Sequence, residues 1–306
     1  MAFANNMWGL NSTGFTDKFL SVNQVLKESG CDYHVESQPI FLNSGVEIPK
    51  HRANVRTDTG AVLGMTSNKY NILQNEEAFN FFQPFVDNKL AYIDNVGSIL
   101  NGKITFIQAK VNQDIQEVTP GDGIENYIHI MNSFSGTTSV VVGYFPRRIF
   151  CSNQLPSLGA SRHLRVKHTK NMNISLDKIR NVMSIADAEF KCTIEDYRFL
   201  ASKGVSKDTL KKYVNLVFKP VKEDEEEQGE VRESIVEKIE VIFENGRGAK
   251  ETPDSMYKLF NSVNEYLNYD IGRTAENRNL SLWNGVNGQT NNRSFQIAMD
   301  IASGRI

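Results

Sequence analysis

The chain has 306 residues, 40% apolar and 23% charged, which is enough for a large core and argues against wholesale disorder. Its 34 Lys and Arg against 36 Asp and Glu leave a formal charge of −2, a sum that by itself speaks against a dedicated polyanion binder. Three widely separated cysteines, with no CxxC pair and no His at ligand spacing, argue against a disulfide framework or a zinc site and fit a reducing, cytosolic setting.

Met1 to Trp8 carries neither a basic stretch nor a long apolar run, so no signal peptide is expected. No stretch approaches the roughly 20 apolar residues that a membrane span needs. Thr16 to Lys27 then places Phe19, Leu20, Val22, Val25 and Leu26 at helical spacing behind an N-capping Thr or Asp. Tyr33–Leu42, Arg52–Thr59 and Val62–Leu73 read as strands joined by tight turns, with Asp58-Thr59-Gly60 the clearest turn. Asn75 caps an amphipathic helix over Glu76–Val86, with Ala78, Phe79, Phe82, Phe85 and Val86 on one face.

Strands follow at Ala91–Leu100, Lys103–Val111, Tyr127–Phe134 and Ser139–Ile149, the first two joined by the hairpin pair Asn101-Gly102. The spacing then predicts helices over Ser175 to about Lys191, Thr193–Ser202, Lys207–Phe218, Glu233–Phe243, Ser255–Asn268 and Ser294–Ile301. Asn284–Asn292 reads as a Gly/Asn-rich connection. The expected fold is α+β: an antiparallel β-rich half with a crossing helix, of β-β-β-α type, over residues 1–172, and a mainly helical region over 173–306.

Charge is unevenly spread. From Glu223 to Glu240 nine acids stand against Arg232 and Lys238. This is either a solvated linker and charged helix or an acidic segment that competes with a polyanion. From Phe145 to Ser175 the chain carries Arg147, Arg148, Arg162, His163, Arg165, Lys167, His168 and Lys170, and no Asp or Glu. Such a stripe is the electrostatic footprint of a phosphate backbone. Tyr144, Phe145, Phe150, Asn153 and Gln154 are of types that stack on bases or bond to backbone oxygens. The bland alternative places Tyr144 and Phe150 in the sheet core and the arginines on a solvated loop. A smaller basic set, Lys50, His51, Arg52, Arg56 and Lys69, lies on the earlier hairpins.

No P-loop, GxGxxG after a strand, HExxH or Gly-x-Ser-x-Gly elbow is present. Asn132 to Thr138 could cradle a phosphate, but an ordinary Ser/Gly turn has the same composition. Cys151 with His163 or His168 would make a nucleophile, against the commoner buried thiol. Asp58, Asp87, Asp94 and Asp122 read as turn formers rather than a metal set. No catalytic residue, cofactor or metal is expected.

Several stretches together carry a family resemblance: Arg56-Thr57-Asp58-Thr59-Gly60-Ala61-Val62-Leu63-Gly64, Lys69 to Phe79, Pro146-Arg147-Arg148-Ile149-Phe150-Cys151-Ser152-Asn153-Gln154-Leu155, Arg165 to Asn171, and Tyr257 to Tyr266. In these, over nearly its whole length, the chain resembles the phage/plasmid-like proteins catalogued as domain of unknown function 932. It departs from them in having Phe134-Ser135-Gly136 where the family usually has His-Asp-Gly, and in its more acidic 223–240 region.

The resemblance implies a mobile-element setting in the cytoplasm of a bacterial host. Through the β-β-β-α order it also implies a distant likeness to single-strand annealing proteins of the Red-beta type. The function expected is single-stranded DNA binding and annealing in recombination or replication, by a non-catalytic homo-oligomer in a ring or filament. Arg147, Arg148, Arg162, Arg165, Lys167 and Lys170 are the expected phosphate contacts, with Arg52, Arg56 and Lys69 beside them and Tyr144 and Phe150 as stacking rings. The alternatives are a protein–protein module binding a host factor, and a DNA-processing enzyme.

Overall fold

The computed structural model describes residues 2–5, 7–136, 140–155, 164–166, 176–218 and 233–306. The chain is mixed α+β, with antiparallel sheets in its N-terminal half and helices in its C-terminal half. In order, the described elements are β1 (Ala2–Asn5), β2 (Ser12–Phe15), α1 (Val22–Glu28), β3 (Val35–Phe41), β4 (Glu47–Arg56), β5 (Val62–Ser67), α2 (Asn75–Asn80) and α3 (Gln83–Asp87). Next come β6 (Ala91–Ile99), β7 (Ile104–Val111), β8 (Gln116–Glu117), β9 (Gly123–Ser133), β10 (Val140–Arg148) and β11 (Leu164–Val166). Then follow α4 (Leu176–Ala201), α5 (Lys207–Phe218), α6 (Glu233–Asn245), α7 (Met256–Glu265), a π-helical turn (Tyr266–Asp270), α8 (Ala275–Asn284) and α9 (Val286–Ala302).

These pack as two compact units that interleave in sequence. Unit 1 comprises Met1–Gln113, Tyr127–Tyr144 and Arg162–Ile185; unit 2 comprises Asp114–Asn126, Phe145–Ser161 and Ala186–Ile306. The long strands β9 and β10 therefore contribute residues to both units.

In unit 1 the large sheet runs β1-β2-β6-β7-β9-β10-β11. The β1–β2 hairpin was not among the expected strands, because two four-residue strands offer too little alternation to read. Helix α1 starts at Ser21, not at Thr16: Ser21 Oγ accepts from the Gln24 amide and Gln24 Oε1 accepts from the Ser21 amide, a capping box. The single helix expected over Glu76–Val86 is broken into α2 and α3. Pro84 lacks an N–H, and its ring would clash with the carbonyl four residues back, so the chain turns at Phe81–Phe82 and restarts. Gln74, not Asn75, is the residue before α2.

Val22, Val25 and Leu26 of α1 and Phe79, Phe82, Phe85 and Val86 of α2–α3 form one buried cluster with Ile93, Val96, Ile107, Ala109, Ile128 and Ile130 of the sheet. The β6–β7 turn is as read from sequence, with Asn101 and Gly102 both left-handed at φ 58° and 86°. The smaller sheet β3-β4-β5 ties to the segment after β9: Asn54 Nδ2 donates to the Phe134 carbonyl at 2.7 Å. Gly64 allows that approach, since a Cβ there would stand 2.6 Å from Ser135 Cα.

Unit 2 gathers α5 to α9 and the second part of α4 around Tyr197, whose ring lies 5.5, 5.8 and 5.2 Å from those of Tyr257, Phe260 and Phe295. Two expectations change here. No break separates Lys191 from Thr193, and α4 runs 26 residues. The Asn284–Asn292 connection is helical apart from Gly285. Asn291 is buried with its side chain bonded to Asn264 and Gln154, so packing overrides the poor helix propensity of Asn and Gly. Among the described residues, no helix is long and apolar enough to cross a membrane.

Candidate functional site

Of the smaller basic set, unit 1 places Lys50, His51, Arg52 and Lys69 toward one end of the β3-β4-β5 sheet and Arg56 at the other. The β3–β4 register shifts between Pro39 and Phe41, and in the bulged stretch of β4 Lys50 is left-handed at φ 64°. His51 pairs with Ser67, and the Lys50 carbonyl accepts from the Asn68 amide at 3.0 Å, which brings Lys69 alongside. Lys50, His51 and Lys69 are exposed, and none of them has an acidic partner among the described residues. Arg52 is half-buried and reaches Glu47 only at 3.9 Å.

Arg56 is committed elsewhere. Its guanidinium bonds both oxygens of Asp58 at 2.7 and 2.8 Å and lies 3.8 Å over the Tyr33 ring. That hydrogen bonding holds the Asp58 carboxyl below its ordinary range. Beneath it runs a buried polar network. Tyr33 Oη donates to the Gly102 carbonyl at 2.6 Å, Asn75 Nδ2 donates to Thr105 Oγ1 at 3.0 Å, and Asn132 Nδ2 donates to Asn75 Oδ1 at 3.0 Å.

In unit 2 the arginine pair has a different fate from the one expected. Arg148 is 2% exposed, with Nε 2.7 and 3.0 Å from the two oxygens of Asp122, itself fully buried. Its far end donates to Thr252 Oγ1 and to the Gly248 carbonyl. Arg148 is thus held inside the fold and not presented to a phosphate, and Asp122, whose amide closes the expected turn on the Thr119 carbonyl at 2.9 Å, is an ion-pair partner as well. Asp94 leaves the turn-former set: it lies in β6 and accepts from Tyr127 Oη at 2.9 Å.

Arg147 Nη2 sits 3.2 Å from Glu125 Oε2, both side chains nearly covered. Phe150 is 48% exposed, so it is not a core ring, whereas Tyr144 packs against the core of unit 1. Arg165 lies in β11 opposite Val141. Arg162, Lys167 and Lys170, with His163, His168 and the acidic run 223–232, lie outside the described residues.

The box that follows is a buried seam. Gln154 accepts from Asn264 Nδ2 at its carbonyl (2.8 Å) and from Trp283 Nε1 at its side chain (2.8 Å), while its amide donates to Asn268 Oδ1 at 3.3 Å. Two of the stretches that carry the family resemblance, Pro146–Leu155 and Tyr257–Tyr266, therefore meet in the interior of unit 2. Burial pushes the Cys151 thiol up to about 11, which disfavours the thiolate that a nucleophile needs. Cys31 is likewise buried and raised, and Cys192 is exposed.

A further cluster escaped the sequence reading. The Arg247 guanidinium lies 3.7 Å over the Tyr269 ring, and Tyr269 Oη donates to the Cys151 carbonyl at 2.6 Å. Glu265 accepts from the Arg247 amide at 2.9 and 3.2 Å, and burial holds its carboxyl above the ordinary value. No spacing rule links Arg247 to Tyr269; the π-helical turn brings them together. Among the described residues no group of three or more His, Cys, Asp or Glu side chains is placed to hold a metal.

A family model described as Domain of unknown function (DUF932) matches residues 62–283. No curated protein and no solved structure matches the chain.

Proposed function

The chain belongs to the DUF932 family, and from that premise we propose that it is a phage- or plasmid-encoded protein that binds and anneals single-stranded DNA in the cytoplasm of a bacterial host, as a non-catalytic homo-oligomer. The observation that carries this reading is the exposed set Lys50, His51 and Lys69, with Arg52 beside it, brought together by the β4 bulge and its register with β5. Lys50 and Lys69 have no carboxylate partner among the described residues, and such cations are free to replace the counterions condensed on a phosphate backbone. Annealing asks for that neutralisation and for bases held with their pairing edges open, and it asks for no bond to be broken. Arg165, and the sequence run that holds Arg162, Lys167 and Lys170, stay in the proposed contact set; Arg148 does not.

An anisotropy titration with an oligo-dT strand across a salt series tests the reading. Affinity should fall log-linearly with salt, and Lys50→Ala with Lys69→Ala should lower the slope by about one unit per lost contact. Undetectable binding at low salt would sink it. One observation favours a second reading, a protein–protein module: Phe41, Leu42 and Val46 at the β3–β4 tip are 56%, 53% and 59% exposed. Co-purification of a stoichiometric host protein that is lost on Phe41→Ser would favour that reading.

A further inference from the structure

Two uncommon backbone features of unit 2 are joined by one hydrogen bond. Ser152, a non-glycine residue, is left-handed at φ 54°, and Tyr266–Asp270 is a π-helical turn. The Tyr269 hydroxyl, from the π turn, bonds the carbonyl of Cys151, the residue before Ser152. Each feature is disfavoured in isolation, and such departures gather where a fold holds a side chain for use.

The side chains held there are of one kind. Phe150, next to the strained loop, puts a ring into solvent at 48% exposure. Tyr269 is half-buried, the Arg247 guanidinium carbon lies 3.7 Å over its ring, and Arg247 keeps half of its side chain exposed at 51%. Its acidic neighbour Glu265 is 3.9 Å from that guanidinium and bonds chiefly to the Arg247 backbone amide, so the plane is not locked into a bidentate pair. A half-exposed guanidinium carried over a ring offers a surface on which a planar base can stack, and an exposed phenyl ring is another.

We propose that Arg247, carried over Tyr269, together with Phe150 forms a base-stacking site for single-stranded nucleic acid. This rests on the reading above and adds to it a place where the bases, rather than the phosphates, are held. Tyr269 acts as a positioning residue, through Arg247.

The test compares an oligo-dT strand with an abasic strand of equal length and charge, on the full chain. Oligo-dT should bind about tenfold more tightly, in line with stacking of a base or two. Arg247→Lys and Phe150→Ala should each narrow that ratio while leaving abasic binding and the salt slope nearly unchanged, since Lys keeps the charge and loses the plane. Circular dichroism spectra and melting curves matching the parent would show that the variants fold. Equal affinity for the two strands would overturn the stacking site and leave single-strand binding standing. A dT-over-abasic ratio unchanged in both variants would also overturn it, by placing the stacking elsewhere. No binding of either strand would overturn both.

Discussion

The two units treat the same residue type in opposite ways. In unit 1, Arg56 lies at the surface, pairs with an aspartate two residues away and rests on a tyrosine ring. In unit 2, Arg148 is enclosed, and its carboxylate partner comes from 26 residues upstream. A charge counted along a chain is therefore not a charge delivered to a surface. In these two pairs the local partner follows its arginine toward the surface, while the remote one is met inside the fold.

Breaking the enclosed pair should have the largest effect. Arg148→Ala leaves Asp122 charged and buried, and a loss of about 3–5 kcal/mol is expected in urea unfolding. Arg148→Met combined with Asp122→Leu should cost much less, because neither charge is then left without its partner. A double variant as unstable as the single one would show that packing, not charge, sets the cost. In unit 1 the sensitive point is a shape: Gly64→Ala drives a methyl into the Ser135 backbone, with an expected loss of about 1–3 kcal/mol by the same measurement.

A smaller effect concerns pH. Burial raises the Glu265 carboxyl, so the folded state holds a proton over a range where the unfolded chain has released it. Stability should then fall as pH rises from the ordinary glutamate value through the raised one, and Glu265→Gln should flatten the pH dependence of the urea midpoint over that window. The smallest effect belongs to the surface arginine. Arg56→Lys should leave the urea midpoint almost unchanged at high salt, since an exposed pair is screened there. A large drop would mean that the stack on Tyr33, rather than the ion pair, holds that corner.

Much of the architecture could be read from local signals. Asn101-Gly102 announces its hairpin because the left-handed pair is a property of those two residues. Lys207–Phe218 is helical as the periodicity predicts, because one apolar face decides it. What escaped depends on partners remote in sequence. Asn284–Asn292 is polar and glycine-rich, yet it folds as helix because Asn291 is bonded inside unit 2. Arg148 reads as part of a basic strip because Asp122 lies beyond any local window. Tyr269 and Arg247 meet only through a π turn that no periodicity encodes. Phe150 was legible as a stacking type, but its exposure was not, since strand and loop apolar residues look alike in sequence.

The three cysteines are distributed in a way that serves as a built-in gauge. Cys31 lies in the core of unit 1, Cys151 is enclosed in unit 2, and Cys192 stands on the outer side of α4. A thiol-reactive dye offered to the folded chain should add one equivalent, at Cys192, with no engineered substitution. The other two equivalents should add only as each unit opens, so the order in which Cys31 and Cys151 become reactive in rising urea ranks the local stabilities of the two units.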